Sequence, residues 1–118
     1  MADGARSFRI EGIISADRAC ECCGNSNLKK NVILEDVADG SLLYVGTTCA
    51  GYLLLGDKTR KSAEVIESHA RAIEYARKWI GIHGRAPRVL RKIADAIRVR
   101  FCDCEVIDGD IVVASPRS

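Results

Sequence analysis

A chain of 118 residues with 47% apolar side chains and a net charge of +2 has an ordinary globular composition, enough for a modest core. No apolar run approaches the roughly 18 residues of a membrane span, and Arg6, Arg9 and Glu11 break up any secretion-signal core. A cytoplasmic protein with no membrane partner is expected, where disulfides are rare, so the six cysteines read as metal ligands, buried small side chains or reactive thiols.

Residues 1–118 read as one domain, with strands first, helices second and a strand pair last, which is α+β. Residues 7–14 (Phe8, Ile10, Ile13, Ile14) alternate for part of their length and read as a short strand leading to Cys20-Glu21-Cys22-Cys23-Gly24. Two β-prone runs follow, at 31–37 and 41–45, with Asp39-Gly40 between them as a tight hairpin turn. Gly46 ends the second run. Thr47 or Thr48 is expected to cap a short helix through Cys49, Tyr52, Leu53 and Leu55, which Gly56 stops.

The longest element should run from about Thr59 to Ile82. Ile66, Ala70, Ile73 and Ile80 form its apolar stripe, and Val65, Ala72, Ala76 and Trp79 widen it. Glu67–Arg71 and Glu74–Lys78 are i,i+4 pairs, and Gly81 and Gly84 should close the helix. Pro87 suits the first turn of a third helix that turns Leu90, Ile93, Ala94 and Ile97 inward. Residues 105–114, within a terminal segment 101–118, read as a hairpin turning at Asp108-Gly109.

The cysteines carry the strongest chemical signal. Tetrahedral zinc takes four ligands, with sulfur about 2.3 Å from the metal. Two residues between Cys20 and Cys23 let both sulfurs converge, and Gly24 permits the left-handed turn that such a knuckle uses. After a hairpin, Cys49 arrives in the first turn of a helix, where the helix dipole favours a thiolate. Knuckle, hairpin and helix-borne ligand over residues 20–56 resemble treble-clef zinc domains. The pattern C-x2-C-G…G-x2-C-A is also similar to one in small proteins of actinobacteria and their phages. A treble clef usually places its fourth ligand three residues after the third, where this chain has Tyr52. The candidates for that position are Cys104 and Cys102, then His69, Cys22 and His83, or it stays open. Zn2+ is the expected cofactor, with an iron–sulfur cluster or buried neutral thiols as alternatives.

Charge is uneven. Residues 1–56 carry −2, residues 57–100 carry +7 and residues 101–118 carry −3. Arg85, Arg88, Arg91, Lys92 and Arg98 make the third helix basic, and positions 88, 91, 92, 95 and 98 share the face opposite its apolar stripe. Such a face suits phosphates, or it serves only to solvate the helix. No aromatic is interleaved with these arginines, so no stacking platform for single strands is expected, and no glycine-rich phosphate loop is present. His69 reads as a hydrogen-bonded, part-buried histidine and His83 as an exposed helix-end residue. Cys102 and Cys104 would share a face if extended, as a redox pair, metal donors or ordinary strand thiols.

The expected function is a small zinc-stabilised binding protein that contacts nucleic acid through the basic helix, with no catalytic residue nominated. The first alternative, drawn from the resemblance, is a phage or mobile-element regulator that binds a host protein in the host cytoplasm. The second is a metal-dependent enzyme with an open coordination position.

Overall fold

The computed structural model describes residues 7–25 and 28–114. Strands β1 (Phe8–Arg18), β2 (Leu28–Asp36) and β3 (Leu42–Val45) form an antiparallel meander in the order β1-β2-β3. Helices α1 (Thr47–Leu55), α2 (Arg60–His83) and α3 (Pro87–Arg100) follow, and β4 (Cys104–Ile107) pairs with β5 (Asp110–Val113) in a separate two-stranded sheet. The architecture is α+β, as the element pattern implies. Residues 115–118, grouped with the terminal hairpin by sequence, lie outside the described residues.

β1 runs four residues beyond its expected end at Ile14, with register shifts between Ile10 and Gly12 and between Ser15 and Arg18. Apolar alternation stops at Ile14, but pairing to β2 carries the more polar stretch onward as strand. At Gly12 the strand passes close over α2: a Cβ there would run into the Glu74 carboxylate. Arg77 fixes this crossing by donating to the Glu11 carbonyl at 2.8 Å and pairing with Glu74. The expected Glu74–Lys78 pair is therefore replaced by Glu74–Arg77, whereas Glu67–Arg71 forms at 2.8 Å.

The two Asp-Gly dipeptides turn differently. At Asp108-Gly109 both residues have positive φ, 50° and 77°, and Ile107 pairs with Asp110, giving a two-residue turn. At residues 37–40 the loop has four residues. Asp36 N–H donates to the Ser41 carbonyl, Gly40 N–H donates to the Asp36 carbonyl, and the Asp36 carboxylate accepts from Ala38 N–H. Only Gly40 has positive φ there, so the tight Asp39-Gly40 turn is not what forms.

Helix ends follow the residues with one exception. α1 has Gly46, not a threonine, at its N-cap and no side-chain cap, because the helix already includes Thr47 and Thr48. Gly56, at φ 80°, ends it in the left-handed conformation. α2 is capped by Thr59, whose Oγ1 accepts from Ser62 N–H at 3.2 Å, and it runs through Gly81 to a C-cap at Gly84. Pro87 opens α3, and that helix buries Leu90, Ile93, Ala94 and Ile97, the four residues expected.

Two cores result, and α2 serves both. It adds Ile66, Ala70 and Ile73 to Ile10, Val32, Leu34, Val45, Cys20, Cys49 and Ala50. Its second half adds Ala72, Ala76, Tyr75, Trp79 and Ile80 to Ile93, Ala94, Ile97, Cys104 and Phe101. Each buried aliphatic side chain contributes about 1.5–3 kcal/mol. No helix among the described residues is long and apolar enough to cross a membrane.

Candidate metal centre and basic face

The knuckle lies in the β1–β2 connection and faces the start of α1. Gly24, at φ 79°, folds the loop back so that its N–H donates to the Cys20 carbonyl at 2.8 Å, while Cys20 N–H donates to the Asn25 carbonyl at 2.9 Å. Glu21 anchors the loop to β3: its N–H donates to the Tyr44 carbonyl and its carboxylate accepts from Tyr44 N–H, both at 2.9 Å. These bonds bring the sulfurs of Cys20, Cys23 and Cys49 within 4.8 Å of one another. Cys20 and Cys49 are buried and Cys23 is exposed.

The electrostatics favour a thiolate at the centre. Burial pushes the Cys20 thiol up. Hydrogen bonds to its sulfur from the N–H groups of Gly46, Cys23 and Cys22 and from Cys49 outweigh that and bring it down to about 7. Cys49 moves the other way. Burial raises it, and so do its interactions with Cys23, Cys20 and Cys22, because a thiol beside a forming thiolate keeps its proton to donate. The first negative charge thus forms at Cys20, and a divalent cation would relieve the repulsion that holds the proton on Cys49. These three residues lie close enough to hold a metal ion.

The structure places the fourth-ligand candidates in different regions. Cys104 belongs to the second core, 2% exposed, with its sulfur on the Ala94 carbonyl at 3.5 Å. Cys102 packs part-buried against that same core, and burial raises both thiols. Neither joins the trio, because β4 folds back onto α3 and not toward the sheet. His69 is buried on α2 and bonds the Ala114 backbone, and burial holds its pKa below the usual histidine value. His83 stacks on Trp79, with ring centroids 5.3 Å apart and planes 3° from parallel. Tyr52 is half exposed beneath the Lys58 ammonium. Cys22 is exposed on the same loop as Cys20 and Cys23 but lies outside the trio of mutually close sulfurs.

The five cations named on the third helix and its approach divide into two groups. Arg85 is engaged with the terminal hairpin, to Asp110 at 3.0 Å and the Gly109 carbonyl at 3.2 Å. Arg98 bonds Asp95 at 3.0 Å and the Cys104 carbonyl at 3.1 Å, so it fastens α3 to β4. Arg88, Arg91 and Lys92 are exposed and have no carboxylate partner among the described residues.

Beside them lies a feature missed by looking for aromatics within α3 alone. Tyr75, Trp79 and His83 recur every four residues on α2 and line a groove of about 480 Å3 whose other wall is Arg88, Val89, Lys92 and Ile93. The aromatics are interleaved with the cations across two helices. The four-residue spacing was the available signal. A second groove, of about 920 Å3, opens between β1, α2 and β5 and includes His69.

No protein-family model, curated protein or solved structure matches this chain.

Proposed function

We propose that this chain is a zinc-fastened protein that binds nucleic acid through the first half of α3. The observation that carries the reading is the separation of the basic residues. Arg85 and Arg98 are tied to the fold, while Arg88, Arg91 and Lys92 stand exposed on one face with no carboxylate partner among the described residues. Exposed cations grouped in this way release counterions from a phosphate backbone, which is a sequence-independent attraction.

Zinc is the metal that best suits the trio. A tetrahedral thiolate shell with Zn–S near 2.3 Å sets sulfurs about 3.8 Å apart, and the observed spread, at most 4.8 Å, needs only a small contraction. Cys20, Cys23 and Cys49 would hold the ion, with Cys22 or a water as the fourth ligand. Bound there, zinc supplies a cross-link between the knuckle and α1. The order of knuckle, hairpin and helix-borne thiol supports a treble-clef-like reading of residues 20–56.

Electrostatic binding is checked by fluorescence anisotropy with a labelled oligonucleotide over a salt series. The expected result is an affinity that falls linearly on a log–log plot, and that drops by an order of magnitude or more in Arg88→Glu/Arg91→Glu, with a shallower slope and unchanged circular dichroism. Absence of binding to DNA and RNA at low salt would remove the proposal.

A further inference from the structure

The groove between α2 and α3 combines a stacking surface with exposed positive charge, and we infer that it seats an unpaired nucleotide of a single strand. This rests on the nucleic-acid reading above and narrows it. The aromatic wall is a continuous ladder. Phe101 lies 5.6 Å from Tyr75, Tyr75 5.9 Å from Trp79 and Trp79 5.3 Å from His83, centroid to centroid. Trp79 and Tyr75 are only part-buried, and His83 is exposed at the end of α2. The ladder therefore ends at the exposed His83 ring and is not sealed in the core.

The opposite wall supplies the charge. Arg88 and Lys92 are one turn apart on α3 and line the groove. Arg88 and Val89 also belong to the first turn of α3, which has no side-chain cap at Ala86, so their N–H groups add to the attraction for an anion. No carboxylate among the described residues lines the groove. Its volume of about 480 Å3 falls in the roughly 300–1,000 Å3 range of small-ligand sites. A base extends the stacked Trp79–His83 pair at the exposed His83 end, and its phosphate meets Arg88 and Lys92. A duplex cannot enter this way, because its bases are already stacked on one another. Base–aromatic stacking is sequence-tolerant, so the site favours unpaired over paired strands without choosing among bases strongly.

Trp79 is the only tryptophan in the chain, so its emission reports this groove directly. The metal-loaded protein is titrated with an eight-nucleotide oligothymidine, with an abasic strand of equal length and charge, and with a hairpin duplex, following Trp79 emission and anisotropy together. The expected outcome is quenching by the oligothymidine alone, with its affinity roughly tenfold or more above that of the abasic strand and the duplex. Trp79→Leu, followed by the anisotropy of a labelled strand, should abolish that preference. Equal affinity for all three probes with unmoved Trp79 emission would overturn this inference and leave the electrostatic reading standing; binding of none would overturn both. Thymidine monophosphate quenching at the same concentration as the strand would overturn the strand assignment, since the backbone contacts would then add nothing. The wild-type comparison of thymidine and abasic strands needs no variant, so a Trp79→Leu protein that fails to fold does not shield the inference.

Discussion

The two cores that share α2 are built from different materials. The second has most of the usable aromatic mass: Tyr75 touches both Trp79 and Phe101, and all three pack against the core of Ile93, Ala94 and Ile97. Among the described residues the first has the Phe8 ring packed against it, leaves Tyr52 half exposed, and buries two thiols together with Asn31 and Asp36. Its longest strand pair is interrupted by two register shifts. A core that buries thiols and polar side chains under irregular strand pairing gains less from burial, and the metal cross-link proposed at its end would add to its packing. The second core has aromatic area and a regular helix face in place of such a fastening.

The sharpest way to break that contrast is to remove a buried ligand. Structural zinc contributes roughly 10–16 kcal/mol in small domains. Cys49→Ser or Cys20→Ser should therefore cost most of that and lose the ion, with fast amide exchange through β1, β2 and β3. Trp79 emission, which reports the second core, should change far less. Cys104→Ala should keep a full equivalent of zinc by elemental analysis, and Cys22→Ser should weaken retention without abolishing it. Zinc lost from Cys104→Ala but kept in Cys49→Ser would invert the assignment of thiols to cores.

The converse test attacks packing. Ile97 is fully buried among α2, α3 and Cys104. Ile97→Ala should cost about 2–5 kcal/mol through lost contacts and a residual cavity. The signature to look for in denaturant titration is a lowered midpoint for Trp79 emission with zinc content unchanged. Loss of zinc in this variant would mean that the two cores unfold as one unit, and the contrast between them would be thermodynamically empty.

Local chemistry was the readable part of this chain. Thr59, Gly56, Gly84 and Pro87 marked helix ends because caps and fixed φ act over one turn, and the three- and four-residue spacing of Leu90, Ile93, Ala94 and Ile97 marked the buried face of α3. The thiol trio was readable for the same reason, through the short Cys20–Cys23 loop and its glycine. What escaped depended on the path of the chain between elements. Cys104 was an acceptable ligand by type, yet β4 returns to α3 and seats its sulfur on Ala94. Arg85 and Arg98 looked equivalent to Arg88 until the terminal hairpin brought Asp110 and the Cys104 carbonyl to them. The Asp39-Gly40 turn failed because Asp36, three residues before Asp39, captured the loop by accepting from Ala38 N–H with its own carboxylate. The aromatic groove needed two helices, and periodicity within one could not show it.

His69 offers the smallest and most local test, because it sits where α2 passes from one core to the other. Its neighbour Ala70 belongs to the first core and Ala72 to the second, while its ring bonds the Ala114 backbone at the end of β5. Burial disfavours the charged ring and outweighs the Ala114 bond, so the folded state holds the proton less tightly than the unfolded chain, whose histidine titrates near 6.5. The unfolded state therefore binds more protons as pH falls through that value. By linkage the penalty is absent above about 6.5, grows below it and levels off beneath the lowered folded value. Thiolate protonation weakens metal binding in the same range, so the informative quantity is a difference. His69→Gln keeps a donor for Ala114 but cannot charge. Between pH 7 and 5 its urea midpoint should fall less than that of the wild type, by a margin smaller than the Ile97→Ala effect. Parallel pH profiles would mean that His69 already reaches solvent when protonated, and that the junction between the two cores is open there.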